Sequence, residues 1–253
     1  MQGAVIKSYY AEKNGIDPKD IFVVSIMPCT AKKDEKARDQ LKVNGLADVD
    51  AVLTTRELAR MIKRAGILFT RLPDEEFDQD LMGEYTGAGV IFGVTGGVME
   101  AALRTAVETL TGETLEKVDF EQVRGMEGIK EASFDVAGMT VNVCVTSGLA
   151  NAKKVLEAVK SGEKNYHFIE VMACPGGCIN GGGQPIHDYQ TQAFTDIKGL
   201  RAAALYRNDA AKTIRKSHEN PEIKMVYDEF CGKPGSHLAH EILHTHYVKR
   251  DRF

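Results

Sequence analysis

The sequence predicts an α/β protein in which short, mostly parallel strands are flanked by helices and followed by a helical C-terminal extension. Two observations predict this class. Short apolar runs alternate with helical stretches up to about residue 174, which is the βαβ rhythm of a parallel sheet. Beyond Gly183, amphipathic stretches near 196–216, 221–230 and 236–248 follow one another without a strand between them, so we expect helices there.

Helical and strand-like patterns occur in a regular order along the first part of the chain. The run IFVVSIM has no polar face, which is typical of a strand buried on both faces. Thr54 or Thr55 is placed to cap a helix, and Gly112 to end one. The predicted elements are helix 2–14, strand 21–27, helix 30–40, strand 49–55, helix 56–66, a Gly-rich apolar segment and helix over 87–112, strands 121–126 and 139–148, helix 150–162 and strand 167–174.

Composition excludes several classes of protein. The formal net charge is −4 with both signs interspersed, so no large basic surface is expected for a nucleic acid. No apolar run approaches the ~20 residues of a membrane helix. The N-terminus lacks the pattern of a secretory signal, which favours a cytoplasmic location. The five cysteines are therefore expected to be metal ligands or redox groups rather than disulfides.

The strongest motif is Cys174-Pro-Gly-Gly-Cys178, followed closely by three more glycines. Two cysteines four apart, with small residues between them, allow a backbone to wrap around an inorganic cluster and direct its N–H groups at the sulfides. Two other interpretations stay open: a Gly-rich turn with two buried thiols, and a redox disulfide, although thioredoxin-like pairs have two intervening residues rather than three.

A second motif places Cys29 directly after the first predicted strand, in Met27-Pro28-Cys29-Thr-Ala-Lys32-Lys33-Asp-Glu35. Open α/β sheets usually bind ligands at the carboxyl ends of their strands. The alternative is a buried thiol before a surface helix with solvated charges. Because the strand ending near Cys174 has the same arrangement, we expect the two strand ends to converge.

These residues resemble a known family. MPCTAKKDE matches the pattern MPCxxKxxE, and EVMACPGGCINGGGQP (170–185) matches ExMxCxxGCxxGGGQP; both are cluster-binding signatures of the iron-only (FeFe) hydrogenases. IFGVTGGVMEAALR (91–104) and GSHLAHEILHTHY (235–247) also resemble that family. The resemblance covers nearly the whole chain and implies a two-lobed domain with the cluster between the lobes.

The resemblance implies reversible reduction of protons to dihydrogen at the H-cluster, a 4Fe-4S cubane bridged through a cysteine sulfur to a di-iron subcluster. It implies that Cys29, Cys174 and Cys178 ligate the cubane, with Cys178 as the bridge. By motif position Lys32 would donate a hydrogen bond to a cyanide ligand, and Glu35 would orient Lys32. The other implied site residues are Met27 and Met172 against the diatomic ligands, and Pro28, Phe92, Gly93, Val98 and Gly177 in cofactor binding.

The sequence departs from the family in one respect. The first signature, a TSCCP-like segment that supplies the fourth cubane ligand and a proton-transferring cysteine, is not in this sequence. We therefore expect an incomplete site that another segment or chain completes. The resemblance divides the chain into a partial H-cluster domain over 1–190 and a small-subunit-like helical extension over 191–253. Ferredoxin or another carrier would supply electrons, because the sequence has no C-x2-C-x2-C run for clusters of its own.

Two further alternatives stay open. His240-Glu241-Ile-Leu-His244 fits the zinc protease pattern HExxH, but only nine residues follow it for a third ligand. The runner-up function is a non-catalytic hydrogenase-like iron–sulfur protein in sensing or assembly. Cys144, within an alternating strand, and Cys231, before a glycine, are expected to be structural or spare.

Overall fold

The computed structural model describes residues 1–75 and 82–249. Within those residues the strands are β1 Val24–Met27, β2 Lys42–Val43, β3 Leu46–Ala47, β4 Ala51–Thr54, β5 Ile129–Val136, β6 Met139–Ser147 and β7 Phe168–Met172. The α-helices are α1 Gln2–Val5, α2 Ala11–Asn14, α3 Lys32–Glu35, α4 Thr55–Arg64, α5 Gly87–Ile91, α6 Gly97–Thr111, α7 Leu149–Lys160, α8 Tyr189–Phe194, α9 Ile197–Ala211, α10 Pro221–Val226 and α11 His237–Leu243. The predicted α/β class is confirmed.

The chain forms two compact units. Unit 1 contains Met1–Gly83 and Pro221–Phe253, and unit 2 contains Glu84–Asn220. The units follow spatial packing, so each end of the chain contributes to unit 1. The division between residues 190 and 191 follows chain order instead, and it stays a prediction about the domains.

Unit 1 contains a two-stranded parallel sheet in which Val24 pairs with Ala51 and Met27 with Thr54. The side chains of Val24 and Ile26 are 46% and 47% exposed. The prediction that this strand is buried on both faces is therefore wrong for the described chain. An apolar run shows what a strand can bury, but whether both faces are covered depends on the segments that pack against it.

The helices of unit 1 begin and end largely where predicted. The first helical stretch runs from Gln2 to Asn14, with a π-helical turn at Ile6–Tyr10. Thr54 caps α4, because its hydroxyl accepts the N–H of Glu57 while Glu57 accepts the N–H of Thr54. The prediction of a helix over 30–40 is wrong, because the α-helix there is the single turn Lys32–Glu35.

Lysine side chains explain why that helix is short. Lys33 and Lys36 donate hydrogen bonds to the backbone carbonyls of Val52 and Asp50, both at 2.9 Å. These bonds connect the turn that follows Cys29 to β4 and to the residue just before it, so the two lysines make tertiary contacts instead of extending the helix. The core of unit 1 lies elsewhere, where Ala4 and Tyr9 of the first helical stretch pack with Val226, Cys231, Ala239 and Ile242.

Unit 2 has a mixed three-stranded sheet with the order β5-β6-β7. The β6–β7 pair is parallel and the β5–β6 pair is an antiparallel hairpin. The strand predicted over 121–126 is wrong, since Glu121–Val123 is a 3₁₀ turn and the strand is Ile129–Val136. The inward face of β5 carries Lys130 beside Ala132 and Phe134, and a charged inward residue hides the period-2 pattern.

A buried arginine holds the helices of unit 2 together. Arg104 of α6 is fully buried and donates two hydrogen bonds to Asp209 of α9, both at 2.8 Å. It also donates to Glu100 and to the carbonyls of Val118 and Arg215. All five guanidinium N–H groups are thereby used, and α6 and α9 are fixed to each other.

The C-terminal region is helical, as predicted, but its helices are shorter than the sequence suggested. α9 ends at Ala211, and α11 ends at Leu243 rather than near residue 248. A π-helical turn at Tyr227–Cys231 follows α10. Within the described ranges, no helix has the length and low charge needed to cross a bilayer.

We expect Arg104→Met to lower the free energy of unfolding by about 3–5 kcal/mol, because it removes the buried cation shared by two carboxylates and leaves Glu100 with Arg124 alone and Asp209 with Arg215 alone. Denaturant unfolding followed by circular dichroism measures this change. Lys153→Met is the control: its amine lies 3.6 Å from Glu157 with both side chains mostly exposed, so a change below about 1 kcal/mol is expected. Equal losses in the two variants would contradict the prediction.

Glu108 should make stability depend on pH. The hydrogen bond from Lys216, helped by the N–H of Leu115, lowers the pKa of Glu108 from 4.5 to about 2. The ionised carboxylate therefore stabilises the fold above about pH 4.5, and this contribution is lost as the pH falls toward 2. We expect Glu108→Gln to be less stable than wild type at pH 7, with a difference that shrinks below pH 4.5.

Urea unfolding between pH 2.5 and 7 measures this trend. Glu157→Gln removes the same charge from an exposed pair and should show no such convergence. A Glu108→Gln difference that stays constant down to pH 2.5 would show that the carboxylate does not contribute in this way.

Candidate cluster-binding site

In unit 1 the residues of the MPCTAKKDE motif lie at the carboxyl end of β1. Cys29 is half-buried and follows the strand after Pro28. A cleft of about 190 Å³ lies beside this strand end, and Met27, Lys32 and Glu35 all line it. The structure therefore brings together three of the predicted site residues in one concave space, with Ser25, Leu41 and Val52 among the other lining residues.

Lys32 and Glu35 form an ion pair within that cleft. The Lys32 ammonium lies 2.8 Å from one oxygen of Glu35 and 2.7 Å from the other. Their side chains are 44% and 38% exposed, so the pair adds little to stability. Its effect is on geometry, because the carboxylate restrains a flexible four-carbon side chain that lines the cleft.

In unit 2 the second motif forms a tight loop after β7. Cys174 is half-buried and Cys178 is exposed. The carbonyl of Cys174 accepts the N–H of Gly177 at 2.9 Å, and a 3₁₀ turn begins at Cys178. This loop, residues 174–178, is called the cysteine loop below.

The cysteine loop contacts a second glycine-rich segment through backbone atoms. Thr95 donates its N–H to the carbonyl of Gly176 at 3.1 Å, and Ile179 donates to the carbonyl of Gly93 at 3.0 Å. We call residues 93–99 the glycine turn. A Cβ at Gly177, whose φ is +94°, would lie 2.7 Å from the nitrogen of Thr95 and 2.8 Å from the oxygen of Gly93. Only glycine fits there.

Two charged residues beside the glycine turn, the buried Glu170 and the half-buried Lys130, were not predicted from the sequence. Glu170 accepts the N–H groups of Gly96 and Met99, both at 2.7 Å. Lys130 donates to the carbonyls of Thr95 and Gly125 at 3.2 and 2.8 Å. Glu170 is the glutamate of ExMxC, and a glutamate within an otherwise apolar strand is a sequence signal for a buried charge. Nothing in the sequence marks Lys130 in this way.

The remaining predicted residues named here belong to unit 2, at the glycine turn and at the end of β7, and their roles stay predictions. Gly93 belongs to the glycine turn, Val98 to the first turn of α6, and Phe92 is 43% exposed just before them. Met172 ends β7 and is half-buried. Cys29 belongs to unit 1 and the cysteine loop to unit 2, so their predicted convergence on one cubane also stays a prediction.

The other two cysteines are in apolar interiors. Cys144 of β6 is fully buried, and burial raises the pKa of its thiol to about 11. Cys231 is 3% exposed in the core of unit 1, where burial raises its pKa. Neither environment favours the thiolate that metal ligation requires, so both are structural thiols, as expected.

Within residues 1–75 and 82–249, the HExxH motif is not part of a three-ligand site. His240 lies on α11 and His244 just beyond it, with ring centroids 4.4 Å apart and both side chains exposed. Among the residues that the structure describes, the group of three metal-type ligands close enough to share an ion is Glu108, His218 and Glu219. Lys216 donates to both of those glutamates and already supplies the positive charge.

A cysteine follows each of two strands, and glycines pack against backbone beside the cysteine loop; this is the arrangement of an iron–sulfur protein. The model for the C-terminal domain of the iron-only hydrogenase large subunit matches residues 1–182, and the model for the iron hydrogenase small subunit matches residues 195–250. The chain belongs to the iron-only hydrogenase family. The resemblance inferred from the two signatures is confirmed.

Individual relatives agree with the family assignment. The chain is 55% identical over 252 residues to the NADP-reducing hydrogenase subunit HndD of Solidesulfovibrio fructosivorans, covering all of this chain and 42% of that protein. It is 51% identical over 247 residues to Iron hydrogenase 1 of Clostridium pasteurianum, covering 98% of this chain and 43% of that one. The chain thus spans less than half the length of these curated relatives.

A solved structure and a more distant relative complete the comparison. An FeFe-hydrogenase whose H-cluster 2Fe subcluster is degraded by oxygen matches 98% of this chain and 67% of its own, with a TM-score of 0.79 and 43% identity. Protein NAR1 of Arabidopsis thaliana is 34% identical over 260 residues, covering 97% of this chain and 54% of that protein.

We expect Gly177→Ala to destabilise the protein by about 2–5 kcal/mol, because the strained positive φ costs about 1–2 kcal/mol and the collision of the methyl group with backbone atoms costs about 1–3 kcal/mol more. Thermal unfolding measures the loss. Gly162→Ala is the control: its φ is +79°, with nothing within 4 Å of a Cβ, so it should cost only about 1–2 kcal/mol. A Gly177→Ala variant that is no less stable than Gly162→Ala would refute the close contact.

Proposed function

We propose that this chain is the H-cluster-binding part of an FeFe hydrogenase that catalyses the reversible reduction of protons to dihydrogen. The observation that carries the proposal is the cleft in unit 1 where Met27, Lys32 and Glu35 meet beside the strand end that bears Cys29. An iron–sulfur cubane needs only cysteine ligands. A cleft with an oriented ammonium and a thioether is instead suited to a cofactor with polar diatomic ligands.

The cysteines of this chain supply only part of the ligand set of a cubane. Cys29, Cys174 and Cys178 offer three thiols, and Cys178, the exposed one, is the proposed bridge to the di-iron subcluster. A 4Fe-4S cluster takes four protein ligands. We infer that the fourth comes from outside this sequence, in the portion of the curated relatives that the chain does not span.

The cofactor, when bound, would supply the redox chemistry. The chain's own residues would hold and enclose it. Lys32, oriented by Glu35, would donate a charge-assisted hydrogen bond to an anionic ligand. Met27 and Met172 would place polarizable thioethers against it, while Pro28, Phe92, Gly93, Val98 and Gly177 would line its surroundings and exclude water.

Exposed apolar side chains support the proposal that a further segment packs against this chain. In unit 1, Phe22, Val24 and Ile26 expose 71%, 46% and 47% of their surface along and just before β1. In unit 2, Phe168 and Val171 of β7 are 43% and 47% exposed. Large apolar side chains that are exposed on short strands indicate surfaces that another segment or chain covers in the functional protein. We infer that the remainder of a hydrogenase large subunit covers them, with ferredoxin or another carrier as electron partner.

A second candidate is a non-catalytic iron–sulfur protein of the NAR1 type. The observation in its favour is the 34% identity to Protein NAR1 across nearly the whole chain, together with 28% identity over 255 residues to the cytosolic Fe-S cluster assembly factor narfl of Xenopus tropicalis. The identities of 51% and 55% to hydrogenases, together with the Lys32–Glu35 pair in the cleft, favour the catalytic candidate.

The test compares two samples matured without oxygen. One is the chain alone, and the other is the chain together with the N-terminal part of the Clostridium pasteurianum relative, which this chain does not span. Iron, sulfide and dihydrogen evolution are measured. We expect negligible dihydrogen from the chain alone and sustained evolution from the complemented protein. Cys29→Ser, Cys174→Ser and Cys178→Ser should each lose most of the iron, and Lys32→Met should lower dihydrogen evolution at least about tenfold while keeping the cubane iron.

Cys231→Ala is the matched control, because this buried thiol lies in the core of unit 1, and its iron content should equal that of the wild type. Full iron content in the three serine variants would refute the ligand assignment. A complemented protein with a complete cubane and no dihydrogen evolution would favour the NAR1-type role instead.

A further inference from the structure

A buried carboxylate and a half-buried ammonium, from Glu170 and Lys130, hold a single peptide group of the glycine turn. The peptide joins Thr95 to Gly96. Its carbonyl oxygen accepts a hydrogen bond from the ammonium of Lys130 at 3.2 Å, and its N–H donates to a carboxylate oxygen of Glu170 at 2.7 Å. The peptide is therefore bonded at both ends, with the positive charge at its oxygen and the negative charge at its nitrogen.

The same two side chains extend the contact to neighbouring segments. The second oxygen of Glu170 accepts the N–H of Met99 in the first turn of α6, at 2.7 Å. Lys130 also donates to the carbonyl of Gly125, at 2.8 Å. Glu170 is 5% exposed, and burial opposes both charges, raising the pKa of Glu170 and lowering that of Lys130. Each charge counteracts this effect on the other.

This peptide is one residue from the contact with the cysteine loop. Thr95 donates its own N–H to the carbonyl of Gly176, and Gly93 accepts the N–H of Ile179. Displacing the Thr95–Gly96 peptide would thus move the surface on which the loop between Cys174 and Cys178 lies. Hydrogen bonds in a low-dielectric interior also polarise one another, so the charges act on the loop through the peptide.

We propose that Lys130 and Glu170 are positioning residues for the cysteine loop, and that their opposite charges set the reduction potential of the cluster which Cys174 and Cys178 hold. The second part rests on the proposed function, and the first does not. Reduction adds one electron to the cluster. The ammonium of Lys130 stabilises the reduced form and the carboxylate of Glu170 destabilises it.

The positioning part is tested on the chain without cofactor. Lys130→Met, Lys130→Arg and Glu170→Gln are compared by hydrogen exchange and mass spectrometry over residues 93–99 and 174–181. We expect Lys130→Met and Glu170→Gln to speed exchange about tenfold in both segments, and Lys130→Arg to restore the wild-type rate because arginine also donates from a positive charge. The control is Lys164→Met, which removes an exposed ammonium 3.1 Å from Glu131 in the same unit.

Exchange rates in Lys130→Met and Glu170→Gln that equal those of Lys164→Met would overturn the positioning role. If one of the two variants does not fold, the other gives the answer. This measurement needs no iron, so a complemented wild-type protein that takes up no cluster refutes the proposed function without affecting the result.

The electrostatic part is tested on the complemented, cluster-containing protein by redox titration followed by electron paramagnetic resonance. We expect Lys130→Met to lower the equilibrium constant for one-electron reduction about tenfold, a shift of about 59 mV, and Glu170→Gln to raise it similarly. Lys130→Arg and Lys164→Met should stay near the wild-type value. A shift of the same sign in Lys130→Met and Glu170→Gln would mean that both only loosen the loop, and would overturn this part.

Discussion

The close backbone contact between the cysteine loop and the glycine turn is the constraint on which the architecture of unit 2 depends. Gly177 lies against the nitrogen of Thr95 and the oxygen of Gly93, with no room for a side chain. Such a contact has no flexible atoms to absorb an error in position. The glycine turn must therefore be held still by its surroundings, and the surrounding residues are arranged to do so.

The rigidity comes from buried charges rather than from apolar packing alone. Glu170 fixes the start of α6, and Arg104, two turns further along that helix, fixes α6 to α9 through Asp209. Buried ion pairs contribute little net stability over apolar residues of similar size. They do penalise every arrangement in which a charge loses its partner, so they specify one geometry. Two cysteines on a short loop need one fixed backbone geometry if their sulfur atoms are to be held in place.

Local signals in the sequence predicted much of this fold. The Thr54 cap, the Gly112 stop and both cysteine motifs depend on residues near one another in the chain, and the structure has the two caps where predicted. Partners far apart could not be found this way: Glu170 and Gly96 are 74 residues apart, and Arg104 and Asp209 are 105 apart. The strand at 129–136 was missed because Lys130 points inward, and that inward charge serves the turn beside the cysteine loop.

The division of the chain into units has a consequence for biosynthesis. Unit 2 is one continuous stretch, whereas unit 1 combines residues 1–83 with residues 221–253. Its core joins Ala4 to Ile242, so it cannot close until nearly the whole chain has left the ribosome, many seconds after the first residues emerge at ~5–20 residues per second. The cysteine loop is thus built before the unit that carries Cys29.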